Sequence, residues 1–175
     1  KVMKLIKQQD RIDCGATCIQ MILKHYDSNI SLHILREYSS TDREGASALG
    51  LKRCLEQLNF DCTILQANDN LWEHPDIHFP LIANVIIDNS SYHYVVIYNR
   101  IKDKLLVADP AKGKYQCSIE EFSTIWTGKV ILAEPNEKYQ PHTERIGGIW
   151  SFLPLILKQK LNIFKVVVAS AIVTV

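Results

Sequence analysis

The 175-residue sequence has no cluster of lysine or arginine. Its 20 basic and 19 acidic residues are interspersed, and the formal net charge is +1. That balance excludes the basic patch a nucleic-acid binder carries and reads as a solvated surface of mixed sign. Cysteine is scarce and odd in number: Cys14, Cys18, Cys54, Cys62 and Cys117 share no spacing typical of a disulfide framework. Reduced thiols in a cytosolic setting are expected. The N-terminal stretch Lys1-Val2-Met3-Lys4-Leu5-Ile6-Lys7 is too short and too broken by lysine to be a signal-peptide core, so secretion of this part by that route is not expected. There is no Gly-x4-Gly-Lys-[Ser/Thr] phosphate loop. Internal repeats and low-complexity stretches are missing too. Cys14-x3-Cys18 near His25 and His33, and the His74–His78 segment, fit no common zinc spacing, so no metal is expected.

What the sequence does have is 47% hydrophobic content, enough for one compact domain with a core. Helical periodicity covers 15–26, where Cys18, Ile19, Ile22 and Leu23 fall on one face. Ser31 can cap a second helix through Tyr38. After a polar turn from Ser39 to Gly45, a third helix covers 46–58. Beyond Asn59 the pattern changes to strands at 60–65, 80–87, 92–98, 104–108 and 128–133, with a short helical turn over 68–74. Ser118-Ile119-Glu120-Glu121 is a capping box that opens a helix through Ile125. Helices first and an antiparallel sheet afterwards predict an α+β domain over 1–134. Residues 135–144 read as a linker within a membrane-proximal segment, 135–160. From Ile163 the chain is almost wholly apolar to Val175, after lysines at 158, 160 and 165. Residues 161–175 are therefore expected to begin a transmembrane helix with a cytoplasmic flank, although a buried strand or helix fits the same composition.

The reactive candidate is Cys14. It ends the polar stretch Gln8-Gln9-Asp10-Arg11-Ile12-Asp13 and stands where the first helix begins. Free backbone N–H groups and the helix dipole favour a thiolate there, and a thiolate is a strong nucleophile at neutral pH. Gln8, six residues upstream, is close enough to offer an amide to an oxyanion. A cysteine nucleophile needs a base and a group to orient it. His93 sits near the start of an apolar strand and suits the role of base, although a half-buried, hydrogen-bonded histidine is the plainer account. Asp109 ends the next strand, and pairing of the two strands brings it beside His93. Plain Asp-Pro turn chemistry is its alternative reading.

The runs Gln8-x5-Cys14-Gly15-Ala16, Tyr92-His93-Tyr94-Val95-Val96 and Asp109-Pro110-Ala111-x-Gly113 resemble the C39 cysteine peptidases. These are the N-terminal domains of peptidase-containing ABC transporters that export bacteriocins and competence pheromones. The likeness extends to Trp126-Thr127-Gly128, Tyr139-x-Pro141-His142 and Phe152-Leu153-Pro154. The resemblance implies a papain-like fold. It also implies cleavage of leader peptides after a Gly-Gly pair on the cytoplasmic side of a bacterial cell membrane, coupled to export. By motif, Cys14 is the nucleophile, His93 the general base and acid, Asp109 the group orienting His93, and Gln8 the oxyanion-hole donor. The implied partners are a leader peptide and the transmembrane and ATP-binding domains of a transporter, homodimeric at full length. No cofactor is implied for the peptidase domain; ATP and magnesium belong to the nucleotide-binding domain, which this sequence lacks. An apolar groove for the leader helix is expected. Tyr26, Tyr38, Leu51 and Leu71 are candidates for it, each also readable as core. Two other functions are weighed: a non-catalytic leader-binding domain, in which the nucleophile is typically missing so that Cys14 argues against it, and a transglutaminase-like acyl transferase on the same fold, which shares the Cys-His-Asp set.

Overall fold

The computed structural model describes residues 3–88 and 91–143. The expected membrane-proximal segment from 144 to 160 and the expected membrane helix at 161–175 lie outside the described residues. Among the described residues no helix is long and apolar enough to cross a membrane.

Helix α1 spans Cys14–His25, α2 Leu32–Tyr38 and α3 Ala48–Gln57. The sheet follows: β1 Phe60–Gln66, β2 Leu81–Ile87, β3 Ser91–Ile101, β4 Lys104–Asp109, β5 Gly113–Ser118 and β6 Trp126–Pro135. A short helix α4, Ile119–Ser123, separates β5 from β6, and a 3-10 turn covers Asp69–Glu73. The expected α+β order is observed.

All strand pairs are antiparallel, in the order β1-β6-β2-β3-β4-β5. One face of the sheet carries Ile82, Val96, Ala108, Ile131 and Ala133 against the helical lobe, where Ile19, Ile22, Leu35, Leu51 and Leu55 are buried. The opposite face packs Leu81, Ala83, Val95, Ile97 and Val107 against Trp72 and Phe122. Alternate residues of β2 and β3 thus enter different cores, because successive side chains of a strand point to opposite faces. This is why those strands read as unbroken apolar runs.

Local chemistry sets the element ends. Ser47 Oγ caps α3 by accepting from the Gly50 amide at 3.0 Å, so α3 starts at Ala48 rather than at 46. The expected capping box forms at α4, with Ser118 and Glu121 exchanging bonds, but the helix stops at Ser123. Strand β5 has no counterpart among the expected elements. Its polar stretch becomes a strand because β4 offers a free edge, with Asp109 opposite Gly113 and Lys104 opposite Ser118.

The expected linker is ordered against the fold as far as Thr143. Tyr139 stacks edge-on against Phe60, with ring centroids 4.8 Å apart. Its hydroxyl lies 2.6 Å from Ser28 Oγ and donates to the Tyr26 carbonyl at 2.8 Å. The Asn29 amide donates to the His142 carbonyl at 2.7 Å.

Candidate active site

Cys14 is the first residue of α1, directly after a 3-10 turn at Arg11–Asp13. Asp10 begins that turn: its carboxylate accepts from the Arg11 amide, and Asp13 accepts from the Asp10 amide in return. This capped turn therefore sets the thiol at the helix N-terminus, and Cys14 is only 7% exposed. Behind it, Gly15 lies against Leu51, where an added Cβ would stand 2.9 Å from a leucine methyl. Close approach of α1 to α3 is possible because that position has no side chain.

His93 lies near the start of β3 and Asp109 at the end of β4. The register that sets Val96 opposite Ala108 brings these strand ends together. Both side chains are buried, and His93 Nε2 is 2.8 Å from Asp109 Oδ1. The same Oδ1 accepts from the Ala111 amide at 2.7 Å and the Lys112 amide at 3.2 Å. Turn chemistry and contact with the imidazole were alternatives in the sequence. In the fold they share one oxygen.

Electrostatics follow from this packing. Burial, the largest influence on His93, disfavours its charged form. The bonds to Asp109 and Cys14, with their charges, outweigh it and raise the imidazole to about 9. Burial also pushes against ionisation of Asp109, but the His93 bond and the two amides hold its carboxyl below the usual range. Nε2 is occupied by Asp109, which leaves Nδ1 as the ring nitrogen for the thiol. Cys18, one turn along α1, is fully buried and its thiol is pushed well up by burial. It behaves as a small core residue.

Gln8 is tied to the Asp109 turn, its amide donating to the Pro110 carbonyl at 3.0 Å. Its Oε1 is buried with no hydrogen-bond partner among the described residues. Two clefts meet at the site. One, of about 620 Å³, is lined by Gln8, Arg11, Arg43, Tyr92 and His93. The other, of about 410 Å³, is lined by Cys14, Gly45, Ala46, Asn84 and Tyr94.

A thiol at a helix start, an imidazole bonded to it and a buried carboxylate on the far ring nitrogen form a set able to carry out acyl transfer. Residues 2–138 match the model of the Peptidase C39 family. The chain belongs to that family. Among curated C39-containing proteins, it is 46% identical over 157 residues to the lactococcin-G-processing and transport ATP-binding protein LagD of Lactococcus lactis. That match covers 90% of this chain and 22% of LagD. It is 35% identical over 170 residues to the transport/processing ATP-binding protein ComA of Streptococcus pneumoniae, covering 96% of this chain and 24% of ComA. The chain thus spans less than a quarter of the length of either relative. The crystal structure of the peptidase domain of Streptococcus ComA, a bi-functional ABC transporter, superposes with a TM-score of 0.73 at 34% identity, covering 77% of this chain and all of that one. The papain-like C39 fold is therefore the fold of this chain.

Two features of this C39 site were not anticipated from the sequence. Asn84 Nδ2 donates to the His93 carbonyl at 3.3 Å, and the Thr127 hydroxyl lies 3.0 Å from Asn84 Oδ1. A lone amide inside the apolar run Leu81–Ile87 was the available signal. Asp13, buried beside Cys14, is paired with Arg36. No local pattern links those two, because they are far apart in the chain. Of the groove candidates, Leu51 is core, Tyr26 and Leu71 pack partly against the cores, and Tyr38 is 40% exposed.

Proposed function

We propose that the chain is a cysteine endopeptidase that cleaves leader peptides after a Gly-Gly pair. In this reading Cys14 is the nucleophile, His93 the base and acid, Asp109 the orienting group and Gln8 the oxyanion donor. The observation that carries it is the buried 2.8 Å contact between His93 and Asp109, with the imidazole also engaged by Cys14. The thiol proton passes to His93, and Cys14 Sγ attacks the carbonyl carbon of the second glycine. The Gln8 side-chain amide stabilises the resulting oxyanion. His93 then protonates the leaving amine, and the C–N bond breaks to leave a thioester. Water, deprotonated by His93, hydrolyses the thioester and the thiolate leaves.

The direction of the substrate follows from the proton. His93 serves the leaving amine, so the released peptide lies in the cleft lined by His93 and Arg11, and the leader in the cleft lined by Gly45, Ala46 and Tyr94. Cys14 is only 7% exposed, so a substrate backbone must approach closely, which glycine permits. The two relatives named above are processing and transport ATP-binding proteins. On that likeness, the chain serves an ABC exporter of a bacteriocin or peptide pheromone, on the cytoplasmic side of a bacterial membrane. ATP and magnesium would act in a separate domain of that exporter. The test is a Cys14→Ala chain on a synthetic Gly-Gly leader peptide. Loss of all cleavage is expected, and unchanged turnover refutes the reading.

A further inference from the structure

Asp13 stands immediately before Cys14, fully buried, and no step above uses it. Its carboxylate accepts two parallel bonds from Arg36 on α2, Nε to Oδ1 at 2.7 Å and Nη2 to Oδ2 at 2.6 Å. Oδ2 also accepts from the Asp10 amide at 2.8 Å, and Arg36 Nη2 reaches Gln9 Oε1 at 3.4 Å. One guanidinium therefore grips the turn between Gln8 and Cys14 at both ends. Gln8 is held from its other side by Pro110. The charge matters as well as the geometry. The Arg36 bond, against the opposing pull of burial, holds the Asp13 carboxyl below the usual range. A carboxylate one residue before the thiol, left alone, would oppose formation of a thiolate, and the arginine cancels that charge. A bidentate fork also fixes orientation, which a point charge does not.

We propose that the Asp13–Arg36 pair is a positioning device for Cys14: it locks the turn that spaces the thiol from Gln8 and neutralises the charge next to the thiol. The proposal rests on the reading of Cys14 as nucleophile. Other ionisable groups surround the thiol: His93 and Tyr94 from β3, with Asp109 behind His93, Cys18 from α1, and Asp42, Glu44, Tyr92 and Lys129 lining the cleft.

The test uses the full 175-residue chain. Alkylation of Cys14 by iodoacetamide is followed against pH by peptide mass spectrometry, with kcat and KM measured on a Gly-Gly leader peptide. Asp13→Asn is expected to move the alkylation midpoint to lower pH and Arg36→Gln to higher pH, with rates at pH 6 changed in opposite directions by on the order of threefold. Arg36→Lys keeps the charge and loses the fork, so its midpoint stays while kcat falls about tenfold at unchanged KM. Midpoints that move in the same direction, or not at all, in folded variants overturn the charge role. Full kcat in Arg36→Lys overturns the positioning role. If Arg36→Gln does not fold, Asp13→Asn and Arg36→Lys decide the two parts. A Cys14→Ala chain that still cleaves refutes the underlying reading and leaves the alkylation results of the other variants intact.

Discussion

The Gln8 main-chain amide donates to the Pro110 carbonyl at 3.0 Å, which joins the segment before Cys14 to the loop that follows Asp109. The two proposed supporting groups, one for the oxyanion and one for the imidazole, are therefore one backbone bond apart. Because that bond is main-chain, the Gln8 side chain can be changed without releasing the segment.

Gln8→Ala accordingly separates chemistry from folding. We expect kcat on a Gly-Gly peptide to fall by about 10²–10³-fold, as for loss of one oxyanion donor, with KM little changed. The thermal midpoint should move by no more than a degree or two. A similar kcat would remove Gln8 from the mechanism.

The pH profile carries a second prediction. His93 is raised from an ordinary 6.5 to about 9, so the imidazole stays protonated up to about that pH. The alkaline limb of kcat/KM should fall near pH 9. Asp109→Asn removes a charge that raises His93, so that limb should move to lower pH. Stability follows the same sign. The contribution of His93 is complete below about pH 6.5 and is lost as pH climbs through about 9. A His93→Gln chain should lose that part of the wild-type stability profile, measurable by denaturant titration at pH 6 and pH 9.5.

Gly50 tests the packing of the helical lobe. A Cβ there would stand 2.2 Å from the Ser39 carbonyl oxygen, at the end of α2. In an open helix Gly→Ala would stabilise by about 1 kcal/mol. Here the clash should win, and Gly50→Ala should destabilise by about 1–3 kcal/mol, read from the denaturation midpoint.

The C-terminal strap gives the last prediction. A chain ending at Glu134 loses the Tyr139 ring from Phe60 and its bonds to Ser28 and Tyr26. We expect it to be less stable than a chain ending at Thr143 by about 2–4 kcal/mol, because a half-buried aromatic and its hydrogen bonds are lost together. Tyr139→Phe should cost about 1 kcal/mol of this. Equal stability of the two chains would make 135–143 a true linker.

Much of the fold was legible because its signals are local. The apolar face of Cys18, Ile19, Ile22 and Leu23 announces α1, and the capping box at Ser118 announces α4. Strand β5 was not legible, since Gly113–Ser118 has no apolar run of its own and forms because β4 presents an edge. The docked segment after Pro135 was missed for a similar reason. Its polar composition reads as a linker, whereas Tyr139 finds its partners on β1 and near the end of α1. His93 and Asp109 were each ambiguous alone, and their pairing depends on a strand register.

The sequence by itself determined where the thiol sits, at the start of a helix, and the order of helices before sheet. Both depend on neighbours a few residues apart, through capping and periodicity. Tertiary structure alone decided the surroundings of that thiol: the Arg36 fork on Asp13, the Asn84 bond behind His93 and the two cores on either side of the sheet. Those contacts join residues brought together only when strands and helices pack, and no local pattern encodes such a meeting.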